Sequence, residues 1–320
     1  MFAKRCLAIA VGLICLSQLP RTATAQTFIT AWGSYGSGDG QFLVPVGVAV
    51  GSNGDIYVSD GHNNRVQVFT SGGTYIRQWH VPPSNHDLNI AVDASDNVYV
   101  GDNQDAVVYR YTSTGTLVTQ WAVGAGGGIC LAVDAYGNVY VTANNGVQVF
   151  SPSGVLLRGW GTGGFSDGLT VDAAGDVYVV DRSNRGINKF TNAGTIITGW
   201  GGFGDGDGQF HTPVRVAVGP QGTVYVVDYG NCRVQAFSGD GAFIARWGSR
   251  DLGAHLPGQF ADPIGIAVDS NGDIYVADTS NFRIQKFGSG PTPVQSVTWG
   301  SVKARYRGAP GAAQPPAQDR

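Results

Sequence analysis

Ile266-Ala267-Val268, the turn Ser270-Asn271-Gly272 and the strand Asp273-Ile274-Tyr275-Val276 together decide the fold of this chain. Two short β-branched runs joined through Asn-Gly, which tolerates positive φ, read as a β-hairpin. The tyrosine strand recurs as Asp55-Ile56-Tyr57-Val58, Asn97-Val98-Tyr99-Val100, Asn138-Val139-Tyr140-Val141, Asp176-Val177-Tyr178-Val179 and Thr223-Val224-Tyr225-Val226. Its tyrosines fall 42, 41, 38, 47 and 50 residues apart. That period accommodates about four short strands per unit, the size of one propeller blade. After the tyrosine strand, each unit has a third strand ending in an aromatic: Phe69, Tyr111, Phe150, Phe190, Phe237 or Phe287. A Gly-rich turn then leads to a fourth strand ending in Trp. The reading is an all-β, six-bladed β-propeller over residues 26–287.

The ring is expected to close with the N-terminal strand. From third-strand aromatic to Trp the offset is 10 residues in blades 1 to 5 but 12 from Phe287 to Trp299, with Pro291 and Pro293 between. Proline is poor inside a paired strand. Phe28-Ile29-Thr30-Ala31-Trp32, by contrast, matches the pattern of Phe243-Ile244-Ala245-Arg246-Trp247.

Gly40-Gln41-Phe42-Leu43-Val44-Pro45 and Gly258-Gln259-Phe260-Ala261-Asp262-Pro263 resemble the opening of an NHL repeat. The segments from Asp60 to Phe69, Asp228 to Phe237 and Asp278 to Phe287 resemble its most specific part, Asp-x-x-Asn-x-Arg. The resemblance is strong in blades 1, 5 and 6. Val107 replaces the motif Arg in blade 2, Gly186 replaces it in blade 4, and blade 3 lacks both Asp and Arg. The segment reads as structural, its side-chain oxygens capping turn amides and its Arg forking onto a carboxylate or carbonyl. Trp79, Trp121, Trp160, Trp200 and Trp247 read as wedges between blades.

Residues 1–25 have the form of a secretory signal: Lys4 and Arg5, an apolar stretch from Cys6 to Leu16, then Ala23-Thr24-Ala25. The mature chain is therefore expected outside the cytoplasm, extracellular or periplasmic, with no membrane span. Residues 288–320 read as a linker and a disordered basic, Pro-rich tail. Between 26 and 287 there are 13 basic and 22 acidic residues. That balance opposes phosphate binding and argues against nucleic acid as a partner. Cys130 and Cys232, on blades two apart, are not expected to pair, since a disulfide needs Cα atoms within roughly 7 Å.

Connectors from strand four to strand one, and from strand two to strand three, emerge on one face. All five histidines (His62, His80, His86, His211, His255) are assigned to them. A zinc site needs three or four converging ligands, and the irregular spacing points instead to solvated side chains, with no metal and no cofactor. Asp205-Gly206-Asp207-Gly208 lacks the alternating oxygens and distal Glu of a calcium loop. No catalytic residue is assigned. The longest connectors, 201–213 and 248–263, gather His211, Arg250, Asp251 and His255 on one side. Arg215 stands near them at the channel mouth and Tyr229 on the adjacent loop. These six residues are the candidate ligand site of a monomeric binding scaffold for a protein, peptide or glycan. Within the wider group that NHL repeats resemble, peptide-amidating lyases hold zinc with propeller histidines. The resemblance therefore also implies an alternative, a metal-assisted lyase or hydrolase working on the same face.

Overall fold

The computed structural model describes residues 26–82, 88–124, 129–143, 146–164 and 166–288. The proposed signal, His86, the tail and the Val294–Trp299 segment lie outside the described residues.

Six four-stranded antiparallel sheets make up the fold. Their first strands are Pro45–Val50, Leu88–Val92, Leu131–Val133, Ser166–Val171, Pro213–Val218 and Pro263–Val268. Each packs beside the first strand of the blades before and after it, and blade 6 returns to blade 1. In blades 1 to 5 the strand order in the sheet follows the chain. Blade 6 takes its fourth strand from the other end: Thr27–Trp32 pairs antiparallel with Arg283–Gly288, Trp32 opposite Ile284. The N-terminal strand thus closes the ring, and the shared sheet ties the two ends of the described chain together.

Apolar residues point alternately from the two faces of each strand, so each sheet buries both faces against its neighbours. Six hydrophobic clusters result, each spanning two adjacent blades. The fourth-strand tryptophans are wedges in them. Trp79, Trp121, Trp160, Trp200 and Trp247 lie 5.9–6.3 Å from Tyr111, Phe150, Phe190, Phe237 and Phe287 of the following blade. Trp32 completes the set on Phe69 at 5.9 Å. The next blade's turn must be glycine for the indole to fit: a Cβ on Gly73, at φ +90°, would lie 2.6 Å from the Trp32 ring.

The repeated tyrosine has a polar task as well. In blades 2, 3, 4 and 6 its hydroxyl donates to the aspartate that caps the turn between strands one and two: Tyr99 to Asp93 (3.1 Å), Tyr140 to Asp134 (3.3 Å), Tyr178 to Asp172 (3.2 Å) and Tyr275 to Asp269 (3.0 Å). Burial raises these phenols above their usual range, that of Tyr275 to about 12.

Near the axis the strands crowd. A side chain at Gly265 would strike the Val46 carbonyl, and one at Gly168 would lie 2.6 Å from that of Val214. Cys130 and Cys232 are separate, buried thiols. Among the described residues no helix is long and apolar enough to cross a membrane.

Candidate functional site

The connector face is organised by Asp-x-x-Asn-x-Arg. In blade 5, Asp228 ends the second strand and Tyr229–Asn231 forms one 3-10 turn. Cys232 follows in the left-handed region at φ +49°, and Arg233 begins the third strand. The Asp228 carboxylate is fully buried. One oxygen accepts the backbone N–H groups of His211 (2.9 Å) and Thr212 (3.1 Å). The other accepts Asn231 Nδ2 (2.8 Å) and Arg233 Nε (2.9 Å). The guanidinium then donates to the carbonyls of Asp205 (2.7 Å), Gly206 (3.1 Å) and Gln209 (2.8 Å) in the preceding connector.

Blade 1 repeats this with Asp60 and Arg65, which reaches Ser37, Gly38 and Gln41. Blade 6 repeats it with Asp278 and Arg283, which reaches His255, Leu256 and Gln259. A buried carboxylate and a forked cation thus hold each of three long, Gly-rich connectors in one conformation.

The pinned connectors present apolar side chains to solvent. Tyr35 is 68% exposed, Phe203 62%, Leu252 87% and Leu256 53%. Tyr35 rests edge-on against Phe282 at 5.0 Å. Phe203 lies 5.4 Å from the His211 ring, with the Arg185 guanidinium over its face at 4.2 Å. Tyr35 and Phe203 occupy matching places in two loops, each bridging to the buried phenylalanine seven residues on.

Five of the six residues expected from sequence meet along this surface. The turn Tyr229–Asn231 is the junction: the His211 ring packs against Gly230, and Arg250 donates to the Gly230 carbonyl at 3.3 Å. Burial, and after it the nearby Asp262 carboxylate, raise the pKa of Tyr229. Burial likewise pushes up the thiol of Cys232 beneath the turn. Asp251 and His255 form a second group, with His255 Nδ1 2.7 Å from Asp251 and 2.9 Å from Asn281 Oδ1. Burial pushes the Asp251 carboxyl up. The N–H groups of His255 and Gly253 and the His255 and Asn281 side chains outweigh it and hold the pKa at about 2.

Arg215 is elsewhere. It leaves the first strand of blade 5, crosses the channel and donates to Asn89 Oδ1 on blade 2, the opposite side of the ring. Its other partners are the carbonyls of Asp167 (2.7 Å) and Val214 (3.0 Å). Among the described residues it joins no ion pair with a carboxylate; carbonyl and amide oxygens hold it as a strut inside the channel.

Among the described residues the histidines do not converge, and no group of three His, Cys, Asp or Glu is placed to hold a metal ion. His80 ends the fourth strand of blade 1 and is not in a connector. Sequence reasoning missed Tyr35, Phe203, Leu252, Leu256 and Asp262. The first two carried a signal: Gly33-Ser34-Tyr35-Gly36 and Gly201-Gly202-Phe203-Gly204 set an aromatic at one place in two related loops.

The NHL repeat family matches residues 42–69, 210–237 and 260–287. The chain is a six-bladed β-propeller that contains NHL repeats. The matched repeats are the three blades with a buried Asp–Arg pair. In the NHL propeller's remaining blades that pair is absent. Short stretches are similar to two Caenorhabditis elegans proteins. One is the B-box type zinc finger protein ncl-1, 48% identical over 44 residues, covering 14% of this chain and 5% of that protein. The other is protein lin-41, 44% identical over 48 residues, covering 15% and 4%. The matched stretches therefore span about a twentieth of either relative's length. Among solved structures, a streptogramin B lyase shares the fold at 13% identity, TM-score 0.60, over 83% of this chain and 99% of that one. A Bacteroides thetaiotaomicron protein of unknown function does so at 21% identity, TM-score 0.67, over 82% and 76%.

Proposed function

We propose that the NHL propeller is an exported, rigid scaffold that binds a protein or peptide on the loop face of blades 5, 6 and 1. The observation that carries this reading is the exposure of Tyr35, Phe203, Leu252 and Leu256 on loops fixed by buried arginines. Large apolar groups left in water cost free energy unless a partner covers them. Covering costs little ordering when the loops are already held. Rigid aromatics flanked by polar groups are the usual anchors of protein interfaces. Arg250, His211 and Tyr229 border the apolar groups and supply hydrogen bonds for a peptide backbone or an acidic side chain. Export rests on the sequence of residues 1–25.

The test is capture of a partner from the native extracellular fraction, followed by affinity measurement for Phe203→Ser combined with Tyr35→Ser. A drop of about tenfold or more, with Asn271→Ala unchanged, supports the reading, since losing one buried aromatic anchor typically costs over 1 kcal/mol. Weakening by Asn271→Ala alone would place the site on the opposite face. Stoichiometric zinc in the purified protein, with chelator-sensitive turnover, would favour the lyase or hydrolase alternative.

A further inference from the structure

Blade 4 carries an empty copy of the arginine seat. In three blades the register pairs the motif aspartate directly with its arginine: Asp60 with Arg65, Asp228 with Arg233, Asp278 with Arg283. In blade 4 the same register pairs Asp181 with Gly186. The connector before blade 4 is also short, 162–165 against 202–212 before blade 5. The guanidinium and the loop that it holds are therefore missing together. What remains is a cavity of about 400 Å³ lined by Asp181, Asn184, Asn188, Thr162, Gly163 and Trp200, among others. Asp181 is only 7% exposed, and among the described residues no cation lies within ion-pair distance of it. The nearby arginines are engaged otherwise, Arg182 with Asp167 at 3.1 Å and Arg185 over Phe203. Blade 2 differs: Val107 fills the register position opposite Asp102 with an apolar side chain.

We propose that this cavity is a receptor for an arginine side chain of a partner protein, which enters where the other blades place their own. Asp181 Oδ2 already accepts Asn184 Nδ2 (2.8 Å) and Asn188 Nδ2 (3.1 Å). That does not block a guanidinium. In blade 6 the equivalent oxygen of Asp278 accepts Asn281 (2.9 Å), Gln285 (2.9 Å) and Arg283 (2.7 Å) at once. A buried carboxylate with amide donors alone lacks the positive charge that its three counterparts have, and a planar fork supplies it with directional bonds. Lysine offers a compact charge without that fork. The seat lies beside the Phe203 loop, since Trp200 and Gly201 line it. The inference deepens the proposed function by naming one side chain of the partner.

The test varies the ligand first, so that it does not depend on a variant folding. The intact protein is titrated calorimetrically with acetyl-Gly-Arg-Gly-amide and with the same peptide carrying citrulline or lysine. The arginine peptide is expected to bind about tenfold or more tightly than either, as a charge-assisted fork exceeds neutral or single-point contacts. Asp181→Asn should abolish the preference. Asn188→Arg, which supplies an internal guanidinium, should abolish binding while the melting temperature holds or rises. Gly186→Arg is unsuitable, because its Cβ would collide with the Trp200 carbonyl. Equal binding of the arginine and citrulline peptides, no binding of either, or full arginine binding by a folded Asp181→Asn protein overturns the inference. None of those results touches the exposed aromatics, so the broader reading of the face fails or stands separately.

Discussion

Replacing Arg233 with Met tests whether the latch shapes the face. The substitution keeps most of the side-chain length and removes the cation. It deletes the bond to Asp228 and the donors to Asp205, Gly206 and Gln209. The Asp228 carboxylate, fully buried, then keeps Asn231 and two backbone N–H groups but loses its counter-charge. Breaking a buried pair from one side costs about 3–5 kcal/mol. At about 2–4 °C per kcal/mol for a domain of this size, the melting temperature should fall on the order of 6–20 °C. Amide exchange at 202–210 should accelerate more than exchange in the blade strands, since the loop is freed locally. Adding Asp228→Asn should recover part of the loss, because the orphaned charge is gone. A fall below about 1 kcal/mol, the worth of an exposed pair, or unchanged exchange at 202–210, would refute the latch.

Two further predictions follow the same physics. Trp32→Ala removes the wedge on Phe69 and Tyr275 and should destabilise by roughly 3 kcal/mol, as for other large-to-small core changes; deletion of 26–32 should cost more, deletion of 291–320 nothing measurable by thermal melting. Tyr275 and its counterparts have folded pKa values above the unfolded value of about 10. Their contribution is therefore complete below pH 10 and declines as the pH rises towards 12, by about 3 kcal/mol for Tyr275 alone. Denaturant melts between pH 9 and 12, with tyrosinate absorbance recorded alongside, should show stability falling across that range and the two transitions coinciding.

The fold was legible because each blade repeats the same local instructions. The tyrosine strand, the Asn-Gly or Asp-capped turn and the closing Trp all act within one unit or on the next, so their spacing carries the architecture. The ring closure was readable from Phe28 to Trp32, since no other segment completed blade 6 without prolines. The site was legible only in part. Arg250, His211 and Tyr229 do gather at one turn, because neighbouring connectors must meet where blades 5 and 6 touch. Arg215 was misplaced for a physical reason: its strand position is near the channel mouth, but its reach, to Asn89 across the ring, depends on channel width, which spacing does not encode. The empty seat in blade 4 was visible as Gly186, but its size depends on the short connector as well.

Hydrogen exchange of the NHL propeller with and without its captured partner locates the face that the partner covers. Protection is expected at 34–41, 202–210 and 250–258, with the turns at 51–55, 93–97 and 269–273 unchanged. Protection confined to those turns, on the opposite face, would contradict the proposed binding face.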